Sequence, residues 1–130
     1  DWFKKRKGER PAVLVGDLNV APLETDVWSH KKLAKVITHT PAEISRLDNI
    51  MTAGGWIDAV REFVPPEDKI FSWWSYRAAD WKAANKGRRL DHIWVTPHLR
   101  AALQGAHIAE PVRGWPRPSD HAPVVLDLNT

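Results

Sequence analysis

Three short, largely apolar runs, each meeting an acid at its edge, limit what this chain can become. The first is Ala12–Val15, which ends in Gly16-Asp17-Leu18-Asn19. The second is Leu90–Thr96, with Asp91 near its head. The third is Ala122–Leu128, preceded by Ser119-Asp120-His121. Short apolar runs bounded by turn formers read as buried strands. The continuous Ala12-Val13-Leu14-Val15 run reads as a central strand. Strand ends are where sheets hold ligands.

The stretch from Thr40 to Gly55 is the clearest helix. Thr40 suits the N-cap, Pro41 the first helical position and Glu43 the reciprocal cap, with Gly54-Gly55 as the stop. Asp1–Lys7 reads as the tail of a helix, with Gly8 ending it. Residues 25–40 fit either a helix or an extended excursion. Asp58–Phe63 fits a short strand or helical turn, Phe71–Tyr76 a strand and Arg77–Gly87 a loop. Pro97–Leu103 fits a short helix capped by Thr96, and Ala106–Ala109 a weaker strand. Strands with interspersed helices imply one layered α/β domain over residues 1–130.

Composition narrows the function. A chain of 130 residues, 43% hydrophobic and 27% charged, suits one globular domain. Without cysteine there is no disulfide scaffold and no thiolate zinc site. No run is long enough to span a bilayer and there is no signal peptide, so the expected setting is cytoplasmic, alongside the nucleoid, with no membrane partner. A net charge of +3 suits a polyanion. The basic residues cluster at Lys4-Lys5-Arg6-Lys7, a solvated helix end, and at Lys82–Arg89, beside Asp91. Eight tryptophans are an excess for this length, and Trp73, Trp74 and Trp81 fall together. They serve either a core or base stacking.

Asp17, Asn19, Asp91, Asp120 and His121 have a mundane reading as turn formers and ion-pair partners; Arg88 or Arg89 could pair with Asp91. Together they are what metal-assisted phosphodiester hydrolysis requires. Asp ligates a hard cation or takes a proton from water, Asn donates to phosphate and His stabilises a phosphoryl oxygen. His92, next to Asp91, points to the opposite face. His30, His39, His98 and His107 show no metal-ligand spacing.

The stretches VLVGDLNVAP, FSWWSYR…NKGRRLDHIWVT and RPSDHAPVVLDL resemble, in order, the C-terminal half of the exodeoxyribonuclease III-type AP endonucleases, within the endonuclease/exonuclease/phosphatase family. The resemblance implies an α/β (α+β) fold: half of a DNase I-like four-layer sandwich, with one mixed sheet flanked by helices. It implies Asp17 as the acid that activates water or protonates the leaving group, Asn19 as a phosphate contact, and Asp91 as the group orienting the catalytic His121. Asp120 would be a metal ligand or orienting group, with Asp17 as a second ligand for Mg²⁺ (or Mn²⁺). Trp73 and Leu90 would line the pocket for a base-free sugar, with Arg88 and Arg89 also at the substrate. Many relatives carry an aromatic residue two positions after the glycine matching Gly87 or just before it; here Arg88 follows that glycine, which implies a different wall.

The implied substrate is double-stranded DNA with abasic sites or 3′ ends. The family's other half supplies an Asn, a metal-binding Glu and a Tyr that are not identifiable here. The expectation is therefore a fragment, weakly active or inactive alone, self-associating through an uncovered apolar face. The rival readings are a non-catalytic nucleic-acid-binding module and a family phosphatase acting on other phosphoesters. Convergence of the five polar residues in space separates an active site from a binding module.

Overall fold

The computed structural model describes residues 2–6, 8 and 10–130. The readings placed on Asp1 and Lys7 lie outside them.

The helix α1 (Trp2–Arg6) leads to the strand β1 (Val13–Asp17). A short helix α2 (His30–Leu33) and the long helix α3 (Pro41–Gly54) follow. Then come β2 (Ile57–Asp58), β3 (Trp73–Trp74), α4 (Trp81–Ala84), β4 (Gly87–Arg88), β5 (Asp91–Val95), β6 (Leu103–Ile108) and β7 (Val124–Leu128). The α3 boundaries follow from local chemistry. Thr40 accepts from the Glu43 N–H, Glu43 returns to the Thr40 N–H at 3.1 Å, and Gly55 closes the helix in the left-handed conformation at φ 67°.

The α/β class holds, with a difference in the sheets. In place of one mixed sheet, the described residues form three antiparallel ones: β1-β5-β2, β3-β4 and β6-β7. Pairing partners are set by contacts far apart in sequence, which local patterning does not encode. β5 is the central strand, and its Ile93 and Val95 pack with Ile57 and Ala59. Val124 and Leu126 of β7 cover this cluster.

β1 is an edge strand here. It pairs only with β5, leaving Val13 45% and Val15 65% exposed, so the central position expected for it is not observed. Three other boundaries differ. The strand at Phe71–Tyr76 shortens to β3. The Arg77–Gly87 loop contains α4, capped by Asp80. Residues Pro97–Ala102 form a 3₁₀ turn, and the Thr96 hydroxyl caps nothing; it accepts from the Ala12 N–H at 3.0 Å and so ties β1 to the end of β5. Among the described residues no helix is long and apolar enough to cross a membrane.

Candidate active site

Register brings the acids together. In the β1–β5 ladder Asp17 lies directly opposite Asp91. Like charges so placed repel. Here an imidazole offsets the repulsion, because Trp73 bridges to His121 and carries the Ser119-Asp120-His121 loop onto the same rim. His121 Nδ1 lies 2.7 Å from Asp91 Oδ2, and Nε2 lies 3.6 Å from Asp17 Oδ2 and 4.0 Å from Asp120 Oδ1. A carboxylate accepts, so Nδ1 carries the proton in that short contact.

Each member is held by a second contact. Ser72 is fully buried; its hydroxyl donates to Asp91 Oδ2 at 2.7 Å and accepts from the N–H groups of Leu90 and Asp91. Sequence reasoning missed Ser72, because a serine inside an aromatic stretch carries no signal. Asp17 Oδ1 accepts from the Asn19 N–H at 2.9 Å, and Asn19 sits at φ 53°. The turn contact and the approach to His121 use different oxygens of the Asp17 carboxylate, so the two readings of Asp17 are compatible. Gly16, at φ 148°, supplies backbone freedom ahead of Asp17 that side-chain-bearing residues rarely have. Asp120 Oδ2 accepts from the Trp73 indole at 3.0 Å.

The ligand atoms of Asp17, Asp91 and His121 all lie within 4.8 Å of one another, so the group could hold a metal ion. Asp91 Oδ2 is already shared by His121 and Ser72, which leaves Asp17 Oδ2 and the second Asp91 oxygen as the oxygen donors. Asp120 lies outside this group, and the indole bond makes it an oriented acid. Magnesium commonly takes one or two protein carboxylates and fills its shell with water and phosphate oxygens, which this sparse donor set fits.

The basic cluster divides. Lys86 lies over the Trp28 ring at 4.9 Å, and Arg88 over Trp73 at 5.2 Å. Both line a cavity of about 670 Å³ beside His121, with Asn19, Trp73 and Leu90 in its wall. Arg89 is not at the substrate. It is fully buried, bonding Asp26 at 2.7 and 2.9 Å and Asp58 at 3.0 Å, while Arg61 adds a bond to Asp26 at 2.6 Å. Burial would discharge Arg89, but the two aspartates overcome it and hold it charged; Arg89 in turn keeps Asp58 below the carboxylate range against its own burial. The mundane alternative, an ion pair of Asp91 with Arg88 or Arg89, is not found among the described residues. Trp73, Trp74 and Trp81 all line the cavity, and Trp74, at 2% exposure, is also core. His92 is buried against the Val20 carbonyl at 2.7 Å, away from the site.

The sequence profile of the Endonuclease/Exonuclease/phosphatase family matches residues 2–121. The chain belongs to this family. It is 34% identical over 121 residues to an exodeoxyribonuclease of Bacillus subtilis (strain 168), covering 93% of this chain and 46% of that protein. The structure resembles an AP endonuclease from Archaeoglobus fulgidus (TM-score 0.92, 28% identity, 99% of this chain, 50% of that one). It also resembles the 3′ phosphatase NExo from Neisseria bound to a product DNA hairpin (TM-score 0.85, 32% identity, 92% and 46%). The chain thus spans about half the length of these family members.

Proposed function

We propose that this chain carries part of the active site of a DNA-repair phosphodiesterase acting on duplex DNA at abasic sites or 3′ ends. The observation that carries this reading is His121, bridging Asp91 and Asp17 at the mouth of a cavity walled by indoles and cations. A module that only binds DNA has no use for three carboxylates gathered where phosphate must lie, since they repel it.

Asp91 and Ser72 fix the His121 ring so that Nε2 faces the scissile group. As imidazolium, the ring donates from Nε2 to a nonbridging phosphoryl oxygen and offsets charge that grows as water adds. Asp17 Oδ2, beside that nitrogen, takes the proton from the attacking water. As the new P–O bond forms the bond to the sugar oxygen breaks, and that oxygen leaves as the alcohol, taking up the proton. Asn19 donates its amide to the phosphate, and Lys86 adds positive charge along the strand. A bound Mg²⁺ or Mn²⁺, held through Asp17, would supply further charge neutralisation at phosphorus. A donor set of this size favours slow cleavage by the chain alone. The exposed Val13 and Val15 edge favours self-association.

The test is incision of a duplex bearing one abasic site, with Mg²⁺ and with EDTA. Expected is weak metal-dependent cutting, raised by adding the segment of the relatives that this chain does not span. His121→Ala should lower it about a hundredfold or more. DNA binding without cutting in either format would overturn hydrolysis and restore the binding-module reading. Light scattering on the same sample reads the association, which a monomer at all concentrations would exclude.

A further inference from the structure

Phosphodiester hydrolysis makes no use of one feature of the cavity beside His121. Arg88 is half-buried with no carboxylate within 4 Å among the described residues, whereas Arg89 next to it has two. Its Nη1 donates to the Ile37 carbonyl at 3.1 Å and to the Thr38 hydroxyl at 2.9 Å. One face of its guanidinium lies on Trp73. Both of these bonds come from Nη1, one face is stacked, and the side chain lines the cavity.

The anchor itself is strained. Thr38 is β-branched yet sits at φ 82°, a conformation such residues rarely adopt. It is held there by three contacts, the Arg88 bond among them. Its carbonyl accepts from the Ala21 N–H at 2.7 Å, its N–H donates to Glu43 at 3.1 Å, and its hydroxyl takes Arg88. Strain kept in a segment that is bonded on every side marks a functional constraint. Its outcome here is a fixed guanidinium plane and an Ile37 side chain, 73% exposed, at the cavity mouth.

We infer that this cavity receives the base of a terminal nucleotide, and that Arg88 favours a base-bearing 3′ end over a base-free sugar, so that of the two proposed substrates the 3′ end is preferred and the abasic site is cut more slowly. This rests on the phosphodiesterase reading of the same site. Arginine planes are platforms on which unstacked bases lie, and guanidinium N–H groups can meet an acceptor on the base. A base-free sugar has no plane to stack there. At about 670 Å³ the space is within the range of pockets that enclose whole small-molecule ligands.

The test titrates the chain with dGMP and with 2-deoxyribose 5-phosphate, following tryptophan fluorescence. Expected is about tenfold or greater preference for dGMP, lost in Arg88→Ala through weaker dGMP binding while the sugar phosphate stays within about twofold. Arg88→Lys keeps the charge and the stem over Trp73 but not the plane, and should lose the preference likewise. Equal binding of the two probes, preference for the sugar, retained preference in Arg88→Lys, or equal weakening of both probes in Arg88→Ala would each overturn the assignment. His121-dependent incision without dGMP preference removes the base pocket alone, and dGMP preference without incision removes hydrolysis alone.

Discussion

The imidazole of His121 is positioned by Asp91, and Asp91 is held by a serine. The Ser72 hydroxyl serves three partners at once: two backbone N–H groups and the carboxylate. Ser72→Ala leaves both N–H groups buried without an acceptor, at a cost of about 1–3 kcal/mol. It also frees the Asp91 carboxylate to rotate. The expected result is a lower urea midpoint together with a shifted His121 ring resonance; a change in stability with unchanged His121 signals would make Ser72 merely structural. The five polar residues of the site were legible because their chemistry is unusual at strand ends. Ser72 and Thr38 were not, since nothing in their neighbours announces a triply bonded hydroxyl or a β-branched residue at positive φ.

At the scale of elements, α3 was readable almost to the residue because its caps are local. Thr40, Pro41, Glu43 and Gly55 interact within a few positions of one another. Thr40→Ala should cost about 1 kcal/mol. The Glu43 carboxyl is pushed up by burial, but the Thr40 hydroxyl, the Thr40 and Thr38 N–H groups and the Arg46 charge bring it below its ordinary value of 4.5. A depressed carboxylate stabilises fully above its unfolded value, and that share is lost as pH falls through the folded one. The Thr40→Ala penalty should therefore shrink below pH 4.5, which urea midpoints at neutral pH and near pH 3 will show. β1 was harder. Its apolar run reads the same whether a further layer covers it or not, so Val13 and Val15 looked buried and are exposed.

For the whole molecule, the Asp26–Arg89–Asp58 cluster with Arg61 ties the residues before α2, the end of β2 and the approach to β5. Arg89 lies in a basic stretch that reads as a nucleic-acid surface, and composition cannot separate a cation facing solvent from one meeting buried acids. Arg89→Met strands Asp58, leaves Asp26 with Arg61 as its one side-chain cation among the described residues, and should destabilise the fold by about 3–5 kcal/mol. A loss under about 1 kcal/mol by denaturant titration would return Arg89 to the surface role.

Trp73 also joins two parts usually treated separately. Its indole N–H holds Asp120, and its ring face supports Arg88. A substitution at 73 therefore disturbs the Asp120 carboxylate beside His121 and the support of Arg88 in one step, whereas a substitution at 88 leaves Asp120 in place. In a selection for new substrates, variants at 88 would be the survivors and variants at 73 the casualties, so diversification of this pocket has its open route through a single codon.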